Sequence, residues 1–145
     1  MTTDYQRVLL AVDLTDASDL VAKRALDVVR RHGAKLTVVH IVEYMPVEPM
    51  GEALMPTVTV EADVLTSAER RLNDFMIRHG VADAERQVVI GHIKSEVVHI
   101  AREKNADLIV IGSHERHGLG VLINFTEDAV MHASPCDVLT VRLPD

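Results

Sequence analysis

The residues of this sequence that could do chemistry gather in one glycine-containing segment, GSHERHGLGVLINFTEDAV, residues 112–130. Its glycines, Gly112, Gly118 and Gly120, provide the backbone freedom with which a loop can wrap an anion. Glu115 and Phe125 oppose that use, because a carboxylate repels phosphate and an aromatic ring fills space. The segment therefore predicts either a nucleotide site or the remains of one.

The same segment contains the quartet HERH, His114 to His117, whose two imidazoles have a spacing also seen in metal sites. No cysteine or carboxylate group at a characteristic spacing accompanies them, so we expect no metal site. For an enzyme, Asp13 with His114 or His117 is the candidate set, and its spacing shows no more than proximity. We therefore expect no catalytic residues and no ATPase activity.

Two further polar residues lie in or beside apolar strands. Asp13 follows an apolar run and precedes Thr15, which we expect to be the N-cap of the first helix, with Asp16 in its first turn. Asp13 could contact a ligand or simply help to start that helix, and both interpretations stay open. His40 lies within an apolar run. A histidine at such a position is more often a core residue with one satisfied ring nitrogen than a catalyst.

Composition limits the classes of partner. The chain has 145 residues, 48% hydrophobic and 26% charged, which predicts one globular domain over residues 1–145. Its net charge of −7 argues against nucleic acid and anionic membranes as partners. A single cysteine, Cys136, cannot form an intramolecular disulfide and is expected to be a small buried apolar residue. With no secretory signal pattern and no apolar run of about 20 residues, we expect a cytoplasmic protein.

Runs of β-branched residues alternate along the chain with segments of helical periodicity. The predicted strands are Arg7–Val12, Lys35–Val42, Arg86–Ile90, Asp107–Gly112 and Asp137–Arg142. Each of the four predicted helices has an apolar stripe; in chain order the stripes are Val21/Ala25/Val28/Val29, Val64/Ala68/Leu72/Phe75/Met76, Ile93/Val97/Ile100/Ala101 and Leu122/Ala129/Val130/Ala133. The first helix is expected to end at Gly33 and the second at Gly80, and Asn124 or Thr126 could cap the fourth. The stretch Glu43 to Thr59 has neither period and is expected to be a long surface loop.

This alternation predicts an α/β fold, an open doubly wound parallel sheet of five strands in the order 3-2-1-4-5, with helices on both faces. Ligands of such sheets bind beyond the carboxyl ends of the strands, where the strand order reverses. That point lies between the first and fourth strands. Asp13 and the start of the glycine segment at Gly112 are therefore predicted to meet there.

Four stretches carry a resemblance to a known family. VLLAVDLTDASDLVAKRAL, LTVVHIVE, ADLIVIGSHERHGL and SPCDVLTVRL, in that order, resemble the universal stress protein family over essentially the whole chain. The resemblance implies a homodimer in the bacterial cytoplasm, produced under stress, with adaptor or regulatory roles; enzyme activity is the exception. It also implies protein partners, which the sequence does not identify.

Some members of that family bind ATP through a glycine, two residues, a second glycine, eight or nine residues, and Gly-Ser or Gly-Thr. Here Gly112 matches the first glycine, Glu115 replaces the second, and Asn124 and Phe125 occupy the closing pair. The resemblance assigns Asp13 and the residue after His40 to the adenosine half of the pocket. The candidate nucleotide-binding residues are thus Ala11, Asp13, Ile41, Gly112, Ser113, His114, Arg116, His117, Gly118, Asn124, Phe125 and Thr126.

The departures from the motif have different costs. A carboxylate about 4 Å from a phosphate charge costs roughly 1 kcal/mol in bulk water and about 4 kcal/mol at an effective dielectric of 20, so Glu115 repels a triphosphate. Asn124 tolerates a left-handed backbone, whereas Phe125 removes a hydroxyl donor and adds bulk. Arg116 and its neighbouring histidines could offset part of the repulsion. No cofactor is therefore expected to be required, and AMP or ATP would bind weakly.

These considerations predict a non-enzymatic stress-response or regulatory dimer with lost or weakened ATP binding. The alternative is a universal stress protein that binds ATP or AMP in the Asp13, Ile41 and Gly112 pocket. The last strand would be an edge of the sheet, and in the family this strand commonly pairs with its symmetry mate, although its apolar residues could also fill the subunit's own core. The candidate dimer residues are Val138, Leu139, Thr140, Val141, Arg142 and Leu143.

Overall fold

Strands and helices alternate along the chain as the sequence predicts. The computed structural model describes residues 3–43, 57–113, 130 and 132–143, with the backbone alone at 57–59. Within these ranges the elements are β1 (Arg7–Ala11), α1 (Ser18–His32), β2 (Lys35–Val42), α2 (Thr57–Arg78), β3 (Glu85–Ile90), α3 (Ile93–Glu103), β4 (Leu108–Ser113) and β5 (Asp137–Arg142).

The sheet has the predicted parallel topology. Its strand order is β3-β2-β1-β4-β5, and each neighbouring pair runs parallel. In the register, Ala11 at the end of β1 lies opposite Val39 of β2, and Leu10 lies opposite Val110 of β4. The end of β1 is therefore flanked by β2 and β4, which is the switch point that the alternating pattern predicts.

Two apolar cores cover the two faces of the sheet. On one face, Val8 and Leu10 pack in a cluster with residues of α1 and α2. On the other face, Leu9 packs with α3 residues that include Val97 and Ile100. Val8, Leu9 and Leu10 are 2%, 0% and 0% exposed, respectively, so β1 is buried on both sides. This burial explains its continuous apolar run and confirms the prediction that it is a central strand.

The helix ends follow the glycine signals. Gly33 closes α1 in the left-handed conformation at φ 65°, and its N–H donates to the Val29 carbonyl. Gly80 follows α2 with φ 71°. Left-handed backbone is accessible to glycine without the penalty that a Cβ brings, so both RHG endings stop a helix as predicted.

The start of the first helix differs from the prediction. It begins at Ser18, and Ala17 occupies the N-cap position without a side-chain hydrogen bond, so the expectation that Thr15 is the N-cap is wrong. The physical reason is that the Thr15 hydroxyl donates to the Asp13 carboxylate at 2.7 Å, in a turn before the helix in which the Ser18 N–H donates to the Thr15 carbonyl at 3.0 Å. Asp16 consequently lies in that turn and outside the helix.

Two other predicted segments are only partly covered by the described residues. The second helix begins at Thr57, so the last three residues of the expected 43–59 loop are helical, and 44–56 are outside the described residues. Of the predicted fourth helix, Val130, His132 and Ala133 are described, with helical backbone, and Val130 is buried in the core on the α3 side. Leu122, Asn124, Thr126 and Ala129 lie outside the described residues. None of the helices in the described parts of the chain is long and apolar enough to cross a membrane.

Candidate functional site

The candidate site lies at the carboxyl end of β1. The ladder with β2 continues one residue past the strand, because the Val12 N–H donates to the Val39 carbonyl at 3.0 Å. Asp13 follows directly and is solvent-exposed. Gly112 and Ser113 end the neighbouring strand β4 at the same edge of the sheet. The structure thus places Asp13 and the start of the glycine segment at the predicted edge.

The Asp13 carboxylate organises the turn before α1. Its Oδ1 accepts hydrogen bonds from the Thr15 N–H at 3.0 Å, from the Thr15 hydroxyl at 2.7 Å and from the Ser18 hydroxyl at 2.6 Å. Ser18 is only 1% exposed, so one of these donors comes from a buried position at the start of the helix. Asp13 therefore helps to start the helix, and the same bonds hold its exposed carboxylate at the switch point.

The backbone beside Asp13 is held from a second helix. Leu14 adopts a left-handed φ of 61°, a conformation that costs an L residue about 1–2 kcal/mol. The Arg71 guanidinium, on α2, donates to the Leu14 carbonyl at 3.2 Å. Arg71 therefore ties the turn to α2, and this contact helps to offset the cost of the left-handed residue.

His40 supports the turn from below. It is 8% exposed, and its Nδ1–H donates to the Val12 carbonyl at 2.8 Å. Burial lowers the pKa of His40 below its ordinary value, and the nearby charge of Arg71 acts in the same direction. A neutral imidazole with its proton on Nδ1 fits these contacts. The prediction that His40 is a core histidine with one satisfied nitrogen is confirmed.

Apolar residues at the same edge face α3. Ile41, 7% exposed, belongs to the core on that side together with Ile111, and Ala11 packs against the same core. Residues 11 and 41 therefore lie on one face of adjacent strands, as a shared wall of a pocket requires. This part of the predicted set is brought together by the structure.

Gly112 has a different surrounding from the one its motif suggests. A Cβ built on it would lie 2.9 Å from Leu143 Cδ1 and 2.9 Å from Val21 Cγ2. Gly112 lies within β4, and its φ is not in the left-handed region. The absence of a side chain there allows α1 and the residue after β5 to pack closely. The sequence suggests that Gly112 provides backbone freedom. The described contacts require instead that this position has no side chain.

The remaining predicted site residues cannot be placed. They lie outside the described residues and comprise His114, Glu115, Arg116, His117, Gly118, Asn124, Phe125 and Thr126. The HERH quartet is among them. No group of three or more His, Cys, Asp or Glu side chains suited to a metal ion occurs among the described residues.

The last strand is an edge among the described strands, since β5 pairs with β4 alone. Val141 and Leu143 are 6% and 5% exposed and fill the core on the α1 side, while Val138 packs partly against the opposite core. Leu139 is 36% exposed. Val138, Val141 and Leu143 thus serve the subunit's own cores, whereas Leu139 is exposed, and pairing of this strand across a dimer stays a prediction.

Cys136 precedes this strand and is half-buried rather than fully buried as expected. Burial raises the pKa of its thiol above the ordinary value. The Ser134 hydroxyl donates to the Cys136 carbonyl at 2.8 Å and accepts from the Cys136 N–H at 3.2 Å. A thiol with a raised pKa is a poor nucleophile at neutral pH, in agreement with the predicted inert role.

Sequence reasoning overlooked Ser18 and Arg71 as parts of the site. The spacing Asp13-x-Thr15-x-x-Ser18 carries a usable signal, because an aspartate commonly accepts hydrogen bonds from residues shortly after it in a turn. Arg71 has no comparable signal, since it lies on a helix far along the chain from Leu14.

A parallel sheet of order 3-2-1-4-5 with a fixed polar group at its switch point defines a class, the doubly wound α/β proteins that bind ligands in this crevice. The family model of the universal stress protein family matches residues 4–142. The chain is 35% identical over 142 residues to universal stress protein A homolog 1 of Coxiella burnetii, which covers 97% of this chain and 99% of that protein. This chain belongs to the universal stress protein family.

Solved structures of similar fold agree with this assignment. The crystal structure of a universal stress protein in complex with cAMP has a TM-score of 0.65 and 26% identity, and the match covers 96% of this chain and 98% of that one. Universal stress protein UspA from Lactobacillus plantarum has a TM-score of 0.73 at 24% identity, covering 97% of this chain and 100% of that one. The second comparison bears on the fold alone.

Proposed function

We propose that this protein is a non-enzymatic regulatory member of its family, a homodimer that binds the adenosine part of a nucleotide weakly and has lost tight binding of the triphosphate. The observation that carries the proposal is the Asp13 carboxylate, exposed at the switch point and held there by Thr15 and Ser18. A fixed carboxylate at this place suits the hydroxyl or amino donors of an adenosine and repels phosphate.

The apolar side of the pocket supports the same ligand class. Ala11 and Ile41 lie on the face toward α3 at the same edge of the sheet as Asp13, where an adenine ring would bury apolar surface. The related universal stress protein in complex with cAMP, 26% identical, adds support for an adenine nucleotide. We infer an adenosine-type ligand for this chain from the chemistry of its own residues together with that relative.

The phosphate side argues for weakened binding. Glu115 stands where nucleotide-binding members have a glycine, and Phe125 stands in place of a hydroxyl. Repulsion between a carboxylate and a phosphate at about 4 Å is on the order of 1–4 kcal/mol, depending on the dielectric. Because ATP brings more negative charge than AMP to this side, the penalty grows with each added phosphate. The expected order of affinity is therefore adenosine or AMP first and ATP last.

A regulatory role without catalysis agrees with the state of the described side chains. His40 is buried, and its Nδ1 is engaged by the Val12 carbonyl. The raised pKa of the Cys136 thiol disfavours a thiolate. Neither residue meets the requirement for an activated nucleophile or a general base beside a ligand.

Calorimetric titration with adenosine, AMP and Mg-ATP tests the proposed ligand. The substitution Asp13→Asn keeps the shape of the side chain but removes its charge, and we expect it to weaken AMP binding by roughly tenfold. Asp16→Asn, in the same turn and also exposed, is the matched control and should bind AMP as the wild type does. A low micromolar dissociation constant for Mg-ATP would overturn the proposed loss and favour the alternative of a full nucleotide receptor.

Dimer formation rests on the β5 edge and the exposed Leu139. Leu139→Asp places a charge on the outward face and should convert the dimer to a monomer of retained helix content, because like charges would face each other across a two-fold axis. Ile77→Asp, on the other strongly exposed apolar residue among those described, is the control. Native mass spectrometry reads the oligomer mass and any nucleotide retained through purification. A Leu139→Asp protein that stays dimeric would exclude this strand as the interface.

A further inference from the structure

The position of the Asp13 carboxylate is determined by side chains that lie close to it in sequence. Its Oδ1 receives the Thr15 N–H, the Thr15 hydroxyl and the Ser18 hydroxyl at 3.0, 2.7 and 2.6 Å. Oδ1 is bound from two residues, and the direction of the second oxygen, Oδ2, is set by the planarity of the group. Since Ser18 is the first residue of α1 and is 1% exposed, its hydroxyl is a fixed point of reference.

The main chain on either side of Asp13 is also held. On the preceding side, the His40 Nδ1–H donates to the Val12 carbonyl at 2.8 Å. On the following side, the Arg71 guanidinium donates to the Leu14 carbonyl at 3.2 Å, where the backbone has turned into the left-handed region. The backbone at Asp13 is thus held by contacts from β2 and α2. Thr15 and Ser18 act on the Asp13 side chain and hold its rotamer.

We propose that Thr15 and Ser18 are positioning residues of the nucleotide site, whose hydroxyls hold the exposed Asp13 carboxylate in the one rotamer that receives the adenosine. The inference rests on the proposed adenosine binding and goes beyond it by assigning the two hydroxyls a role in affinity. Without the two hydroxyls, more rotamers are open to the Asp13 side chain, and that added freedom would be lost when a ligand binds. With the hydroxyls in place, this entropy is lost on folding and no longer opposes binding.

A purely structural role for the two hydroxyls makes a different prediction. If they served only to start α1, their removal would lower the free energy of unfolding and leave nucleotide affinity in the folded protein unchanged. A positioning role lowers the affinity of folded protein and broadens the rotamer distribution of Asp13 even without ligand. The two roles therefore separate in measurements made well below the unfolding temperature.

The experiment compares Thr15→Val and Ser18→Ala, which each remove one hydroxyl, with Thr15→Ser, which restores it. Thr66→Val is the matched control, because the Thr66 hydroxyl donates to the Ala62 carbonyl within α2 itself. AMP affinity is measured by calorimetry. The Asp13 side-chain rotamer is measured in ligand-free protein from the three-bond couplings of its β protons by NMR.

We expect Thr15→Val and Ser18→Ala each to weaken AMP binding by roughly three- to tenfold, because ordering one flexible side chain on binding costs a free energy of that size. Thr15→Ser and Thr66→Val should stay within about twofold of the wild type, since both keep the Asp13 contacts. The couplings should report one rotamer in the wild type and an average in the two hydroxyl-deleted variants. If Ser18→Ala does not fold because of its burial, Thr15→Val, at an exposed position, decides the matter alone.

The outcomes separate the two proposals. A wild type that binds no adenosine or AMP at millimolar concentration refutes the proposed ligand, and the couplings then judge the positioning role independently. Unchanged couplings in Thr15→Val would overturn the positioning role, as would unchanged AMP affinity in a folded variant when the wild type binds.

Discussion

The two ends of the sheet differ in the way their polar residues are used. At the amino end, a cavity of about 620 Å³ opens beside the first residues of β1 and β2 and is lined by charged side chains that include Arg7, Lys35 and Lys104. At the carboxyl end, one carboxylate, Asp13, receives several short hydrogen bonds from its own turn. The described residues thus form a cavity with charged side chains at the amino end and a convergent set of hydrogen bonds on one carboxylate at the carboxyl end.

A cavity lined by exposed charges does not by itself locate a binding site. The charges at the amino end include the exposed ion pair of Lys104 and Glu85 at 3.3 Å, with 38% and 67% of the side chains exposed. Pairs of this kind contribute little, because water competes for both partners. At the carboxyl end, buried Ser18 and His40 commit hydrogen bonds to the turn itself. This contrast supports the proposed ligand site at the carboxyl end.

The largest expected effect lies at the carboxyl end of β4. Gly112→Ala places a methyl group 2.9 Å from side-chain atoms of Leu143 and Val21, and overpacking of this kind costs about 1–3 kcal/mol. Gly91→Ala is the control, because the atoms nearest to its Cβ belong to the Glu96 side chain, which can move aside. Urea denaturation gives the two free energies of unfolding. Equal losses in both variants would contradict the tight packing inferred around Gly112.

The next effect concerns pH and His40. Burial lowers its pKa in the folded state, so the unfolded chain binds more protons once the pH falls below about 6.5, the ordinary histidine value. The stability that this group contributes is present above that pH and is lost as the pH falls toward the folded-state pKa, at up to about 1.4 kcal/mol per pH unit.

The substitution His40→Asn should remove this part of the pH dependence while keeping a donor for the Val12 carbonyl. Urea denaturation between about pH 5 and 8, the range around the ordinary histidine pKa, measures the slope. His99→Gln, on an exposed histidine that contacts Glu103, is the control substitution. A slope in His40→Asn equal to that of the wild type would show that the acid sensitivity arises elsewhere.

The smallest effect is expected at the amino end. Lys104→Met breaks the ion pair with Glu85 and keeps most of the aliphatic stem, and the free energy of unfolding should change by less than about 0.5 kcal/mol. AMP affinity should not change, because the substituted residue lies at the opposite end of the sheet. A loss of AMP binding in this variant would reverse the assignment of the two ends.

The sheet could be predicted from the sequence because its signals are local. Continuous apolar runs such as residues 7–12 mark strands buried on both faces, and the strict alternation with helices leaves few possible topologies. The same reasoning placed Asp13 at the switch point, since the end of an apolar run locates the end of a strand. His40 was predicted correctly for a similar reason, as a polar residue within such a run.

The details of the site depend on contacts that no local pattern contains. Arg71 reaches Leu14 from a different helix, and Gly112 is surrounded by Val21 and Leu143, which lie far from it in sequence. The start of α1 was misplaced because Thr15 has the residue type of an N-cap but its hydroxyl donates to Asp13 instead. Side-chain hydrogen bonds in a turn compete with helix capping, and residue type alone does not decide between them.

Leu143 follows the outermost strand of this edge and at the same time covers Gly112, and its N–H donates to the Ser113 carbonyl at 3.0 Å. The proposed dimer edge is β5, and the glycine segment begins at the end of its neighbour β4. The two are therefore one strand apart, a spacing of about 4.8 Å. Any shift of β5 on dimer formation would therefore also move the backbone of Gly112 and Ser113, where the glycine segment begins.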